Sequence, residues 1–251
     1  MSRRKDPTYT VFIAAEGPSE LGDLARERAW RQDPPRDGYF QPMMRRLLDE
    51  NVAFDGQTIT LLGRFEQKRK LNGHADRAAK ALALASTVEG CRVLVFAHDV
   101  DKASSEKRNA TERSRRLKDM HAEIEAGFAA VRGADHIARV KATPLRMIEA
   151  WALGDRAAIA KVAGKEGDTS AVHAHPEETW GDEKNPASGH PKCLLRRALS
   201  RNPNPQDFAD LATEADLDTL RASCPASFAP FADEAETAAN DAYVRHVVDD
   251  R

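Results

Sequence analysis

Short runs of apolar strand formers alternate with helical stretches along the first 155 residues, and that alternation leaves the chain few folds to choose from. Tyr9-Thr-Val-Phe-Ile-Ala-Ala15 is halted by Glu16-Gly17-Pro18, and Arg92-Val-Leu-Val-Phe-Ala97 runs into His98-Asp99-Val100-Asp101. Thr58–Leu62 and His136–Lys141 read as two further strands. Helical spacing falls on Phe40–Glu50, Ala75–Val88, Ser105–Val131 and Leu145–Asp155, with Gly90 placed to end the second of these. Strands separated by helices are the pattern of βαβ units. The sequence therefore predicts an α/β fold of Rossmann-like type, with a mostly parallel four-stranded sheet flanked by helices. Right-handed crossovers bring the C-terminal ends of such strands to one edge, where open α/β sheets bind their ligands.

Beyond residue 155 the alternation stops. Gly164–Ser188 is rich in Gly, Pro, His and Glu and reads as a long loop, Pro191–Ser200 as a helix, and 207–250 as two or three more. We read 8–155 as the α/β core and 156–251 as a loop-rich, helical C-terminal extension packed on it.

Composition narrows the function classes. Of the 251 residues, 41% are hydrophobic and 31% charged, which fits a globular chain able to bury a core. No stretch approaches the length of a membrane span, and Met-Ser-Arg-Arg-Lys-Asp-Pro-Thr lacks the apolar run of a signal peptide, so a cytoplasmic location without a membrane partner is expected. Cys91, Cys193 and Cys224 are scattered and include no CxxC pair, which argues against a disulfide framework or a cysteine-built zinc site. The net charge of −2 hides a gradient: residues 206–251 carry 11 acidic and 3 basic side chains, so the rest of the chain is mildly basic. That suits handling of a polyanion, and equally a solvated C-terminal helix. Neither a P-loop nor a G-x-G-x-x-G motif is present, so ATP chemistry would have to come from a partner.

The chemistry-bearing residues cluster at the predicted strand ends. Asp99 and Asp101 are two apart and project to one side of a strand's end. Glu16 ends the first strand, and Glu20 follows one helical turn on. If the first and third strands are neighbours, these four carboxylates converge, and a cation between them relieves their repulsion. Hard oxygen donors without a nearby cysteine favour Mg²⁺ or Mn²⁺. The competing reading is that Glu16, Ser19 and Asp101 are helix-capping residues. For phosphate contacts the candidates are Lys102, which opens a run of seven Lys/Arg through Lys118, Lys184, and Lys192 at the start of the Pro191 helix. The basic run reads equally as a solvated helix face. His173, His175 and His190 read as surface residues, and His98 as either a buried structural group or one that assists Asp99.

Glu16-Gly-Pro-Ser-Glu20 after a strand, followed by Asp99-Val-Asp101 after a later one, resembles the TOPRIM domain of topoisomerases, bacterial primases and OLD-type nucleases. With the Glu149-Ala-Trp151 helix and Cys224-Pro-Ala-Ser-Phe228, the chain is similar to small TOPRIM-like proteins often encoded beside an ATPase in bacterial defence islands. The resemblance implies a metal-dependent nuclease acting on nucleic acid, the effector of an ATPase-associated anti-phage system with a separate ATPase chain as partner. In it Glu16 is a general base or metal ligand, and Asp99 and Asp101 hold Mg²⁺. OLD-type relatives use further acids, which makes Glu149 a fifth candidate ligand; alternatively it belongs to a core helix and pairs with Arg146. Lys102-Ala103-Ser104 stands where a glycine often follows the Asp-x-Asp pair. Two rivals remain: a non-catalytic module that binds a partner or nucleic acid, and a phosphatase with Asp99 as nucleophile and Asp101 as acid. Substrate identity and self-association stay open at this level.

Overall fold

The computed structural model describes residues 9–26, 35–48, 51–63, 71–100 and 110–249. Its elements in chain order are β1 (Thr10–Ala15), α1 (Pro18–Leu21), α2 (Phe40–Leu48), β2 (Ala53–Thr58), α3 (Ile59–Leu62), α4 (Gly73–Ala85), β3 (Cys91–Ala97), α5 (Ala110–Ala129), β4 (Ala138–Ala142) and α6 (Ile148–Ala152). Then come α7 (Arg156–Ala163), α8 (Pro191–Leu199), α9 (Pro205–Glu214), α10 (Leu217–Ser223) and α11 (Phe228–Asp249). The four strands form one sheet in the order β2-β1-β3-β4, and every pairing is parallel. This is the expected α/β class, with helices on both faces, and β1 and β3 are indeed neighbours.

Alternation along the strands separates two cores. Val11, Ile13 and Ala15 of β1 and Val93, Val95 and Ala97 of β3 face a layer built from α2, α6, α9 and α11. Phe12, Ala14, Leu94 and Phe96 face α4 and α5. Because the central strands are covered on both faces, they read as continuous apolar runs.

The second strand corrects the sequence reading. The strand is Ala53–Thr58, paired with β1, and Ile59–Leu62 is instead a short helix. An edge strand needs less apolar content than a central one, so Ala-Phe-Asp-Gly-Gln-Thr suffices there. Ile59 and Leu62, three apart, bury one face of the helical turn. The stretch read as one helix, Leu145–Asp155, is also divided. α6 ends at Ala152, and Asp155 then caps α7, its carboxylate accepting from the Ala157 and Ala158 amides at 2.7 and 3.3 Å.

The C-terminal segment shares the first core. Trp151 of α6 is wholly buried, stacks on Phe231 at 5.0 Å and meets Phe228 edge-on at 5.3 Å. Its indole N–H donates to Ser227 Oγ at 2.8 Å, so the two segments that carried the family resemblance touch each other. α11 also covers the β4 edge, where Glu234 accepts from the Lys141 amide at 2.9 Å and pairs with its Nζ at 3.0 Å. Among the described residues, no helix is long and apolar enough to cross a membrane.

Candidate functional site

β1 stops because Pro18 brings no N–H to a ladder and suits the first position of α1. Two residues on, Glu20 turns back and accepts from the Gly17 amide at 2.7 Å. That bond holds Glu20 inside, 6% exposed. Burial pushes its carboxyl up to about 8; the Gly17 amide opposes the rise, and the nearby charges of Glu16 and Glu149 add to it.

β1 and β3 are registered with Ala14 beside Phe96, which sets Glu16 level with His98 two residues later. Glu16 Oε1 lies 3.4 Å from His98 Nδ1. On the other side of the imidazole, Arg77 of α4 bonds Nε2 at 2.6 Å. A guanidinium can only donate, so Nε2 accepts, the proton sits on Nδ1, and Nδ1 donates to the Asp99 carbonyl at 3.0 Å. Burial lowers the His98 pKa, which agrees with a neutral ring. The imidazole is thus held as a fixed donor beside Glu16.

Past β3 the chain stays alongside the end of β4, with the His98 amide donating to Ala142 O and the Val100 amide to Pro144 O, both at 3.0 Å. Alternation therefore continues, with His98 on the α4 face and Asp99 on the opposite one. Glu16 and Asp99, together with Met147, form one side of a cavity of about 330 Å³. It is also lined by Trp180, Glu183, His190 and Lys192, from the long segment before α8 and its first turn.

Of the residues singled out from sequence, Glu16, Asp99 and Lys192 are thus brought together. Glu149 is buried behind them and does not line the cavity. Its carboxyl is raised by burial, with its own amide and Lys192 opposing and Glu183 and Glu16 adding to the rise. Arg146 stacks on Trp180 at 4.6 Å. Lys184 is exposed, its amide bonded to Asp182 at 2.9 Å, and it does not reach the cavity. Asp101 and Lys102 lie outside the described residues. In the basic run, Arg115 pairs with Asp119 and Arg116 with Glu112, both at 3.7 Å along the helix surface, as the solvated-face reading expects. His173 and His175 are exposed and bond to each other's segment, whereas His190 lines the cavity at 5% exposure, against the surface reading. Trp180, Glu183 and Met147 were not anticipated.

Charge at the cavity is nearly balanced on one side. Lys192 pairs with Glu183 at 3.0 Å. Burial pushes the lysine pKa down, but Glu183, Glu149 and Asp99 together outweigh it and the net shift is upward. No side chain caps α8, whose first turn carries Pro191 and Lys192, so its dipole adds positive potential at this side. On the sheet side, Glu16 and Asp99 offer hard oxygen donors. Among the described residues, no group of three or more His, Cys, Asp or Glu is arranged to hold a metal ion. Two carboxylates fit such an ion in donor chemistry, and Asp101, expected beside them, is not among the described positions. Comparison with protein-family models, curated proteins and solved structures found no match to this chain.

Proposed function

We propose that this chain is a Mg²⁺- or Mn²⁺-dependent phosphodiesterase acting on nucleic acid. The observation that carries the reading is the cavity at the C-terminal edge of the sheet. There Glu16 from the end of β1 and Asp99 from the end of β3 face Lys192 at the start of α8. Carboxylates opposite a lysine and a helix N-terminus match a phosphodiester, whose anionic oxygens need cations and whose attacking water needs a base.

Glu16 and Asp99 would hold the ion, with Asp101 completing the set. When bound, a divalent ion supplies charge neutralisation at the phosphate and a more acidic water. Lys192 and the first turn of α8 orient the non-bridging oxygens, in competition with Glu183 for the lysine. His98, fixed by Arg77 and by the Asp99 carbonyl, packs its ring beside Glu16 and limits where that carboxylate can turn. The resemblance to TOPRIM-like proteins supports the same chemistry and supplies the idea of an ATPase partner in an anti-phage system.

The test is hydrolysis of DNA, RNA and tRNA by purified protein, with and without a candidate ATPase partner, in Mg²⁺, Mn²⁺ or EDTA. We expect metal-dependent cleavage that falls at least 100-fold in Asp99→Asn while circular dichroism and melting stay unchanged. Cleavage that persists in EDTA or in Asp99→Asn overturns the reading. A binding module is the second reading, favoured by the absence of a three-donor group among the described residues. It predicts nucleic-acid or partner affinity without cleavage, unaltered by Asp99→Asn.

A further inference from the structure

The wall of the cavity opposite the carboxylates is built by a close chain crossing. A Cβ on Gly181 would lie 2.7 Å from the His190 amide nitrogen and 2.9 Å from that of Gly189. One on Gly189 would lie 2.9 Å from Trp180 O, so only glycines let the two backbones pass at this distance. The crossing brings the Trp180 and His190 rings to 6.1 Å, inclined at 56°. Arg146, only 3% exposed, covers one face of the indole at 4.6 Å. Trp180 itself is half-buried and lines the cavity. Beside it His190, a lining residue of the cavity, is 5% exposed, and its Nδ1 is buried with no hydrogen-bond partner. Leaving such an atom unpaired costs stability unless something that enters the cavity supplies the bond. Burial also keeps this imidazole neutral, so it can give or take a single hydrogen bond according to tautomer.

We infer that the Trp180–His190 wall is a subsite for one unpaired nucleobase, stacked on the indole and hydrogen-bonded at its edge by His190 Nδ1, so that the substrate is single-stranded or frayed at the point of cleavage. The inference rests on the phosphodiesterase reading of the same cavity and narrows its substrate class. Three observations favour a base over another aromatic group. The stacking surface shares one cavity with Lys192 and the carboxylates, which is the juxtaposition of base and phosphate in a nucleotide. At about 330 Å³ the cavity is at the small end of ligand pockets and holds a single nucleotide rather than a stacked pair of strands. A buried neutral histidine matches a nucleobase edge, which offers both donors and acceptors.

The test is binding in Ca²⁺ of three probes to the full-length chain: a single-stranded oligothymidylate, its abasic counterpart with the same number of phosphates, and a blunt-ended duplex. Tryptophan fluorescence and anisotropy are both read. Base stacking on one aromatic residue corresponds to about tenfold or more in affinity. We expect the oligothymidylate to bind at least about tenfold tighter than either other probe and to quench fluorescence. Trp180→Ala should erase the preference and the quench, and Trp180→Phe should keep most of the preference. His190→Ala should weaken thymidylate binding without changing that of the abasic chain. Melting curves of each variant separate these losses from unfolding. Equal affinity for the thymidylate and abasic probes, survival of the preference in Trp180→Ala, or no binding of any probe overturns the inference. Cleavage in Mg²⁺ is scored in parallel. Hydrolysis without base preference sinks the base subsite alone, whereas base-selective binding with no hydrolysis of these probes, or of RNA and tRNA with an ATPase partner present, sinks the phosphodiesterase reading alone.

Discussion

Glu20 shows how a carboxyl at the sheet edge is divided between architecture and electrostatics. Its side chain closes the first turn of α1 onto Gly17, and burial holds its pKa at about 8 against 4.5 for an ordinary glutamate. Between these two values the unfolded chain holds fewer protons than the folded one, so the stability linked to this group is full below about 4.5 and drains away as pH rises to 8. Glu20→Gln keeps an oxygen for the Gly17 amide and cannot ionise. The melting advantage of this variant over the wild type should be small near pH 4.5 and grow to several degrees by about pH 8.5, at about 2–4 °C per kcal/mol. Thermal melts across that range decide the matter, and parallel profiles for the two proteins would refute the assignment. At this scale the sequence was legible wherever a candidate site residue stood within two positions of the end of an apolar run. Glu16 and Asp99 stand at the ends of β1 and β3, and strand pairing does the rest. Trp180 and His190 carry no such signal. They sit in a segment without periodicity and meet only through a backbone crossing between Gly181 and Gly189, which a pattern of spacings does not encode.

Among the elements, a short irregular one ties α6 to the start of α11. The turn Pro176–Glu178 places Glu177, 2% exposed, against the start of α11. Its carboxylate accepts from the Ala226 amide and from the Ser227 hydroxyl, each at 2.7 Å, and that hydroxyl accepts in turn from the Trp151 indole. Burial raises the Glu177 pKa, with those donors opposing the rise. Removing the acceptor leaves buried donors unpaired, at a cost of about 1–3 kcal/mol each. Glu177→Ala should therefore lower Tm by about 5–12 °C, with a change in the near-ultraviolet signal of Trp151. The same change at exposed Glu178 should stay within about 0.5 kcal/mol. A Tm for Glu177→Ala equal to that of Glu178→Ala would show that the relay stabilises nothing. This relay was invisible in the sequence because its bonded partners are 50 and 76 residues apart. β2 was misplaced for a related reason. Its residues are polar enough for a loop, and only pairing with β1 makes them a strand.

For the whole molecule, the question is whether the α/β part stands without the C-terminal helices. One buried cluster contains Ile13 and Val95 of the central strands, Trp151 of α6, and Phe208, Phe228, Phe231 and Ala235 from beyond residue 200. Phe40 of α2 meets Phe231 edge-on at 6.0 Å and Trp151 at 6.3 Å, so α2 is packed partly by a helix nearly 200 residues later. Cutting the chain after Asp155 would expose the part of this face that α9 and α11 cover, strip Trp151 of Phe228 and Phe231 and uncap the β4 edge at Lys141. A fragment 1–155 should therefore lack a cooperative thermal transition, bind a hydrophobic dye and aggregate, even though it contains every strand of the sheet. It would also lack Trp180, Glu183, His190 and Lys192, four of the seven residues that line the cavity. A fragment that instead melted cooperatively with native circular dichroism would mean that the first 155 residues close their own core. The shared cluster would then be a docking interface between two units rather than one interior.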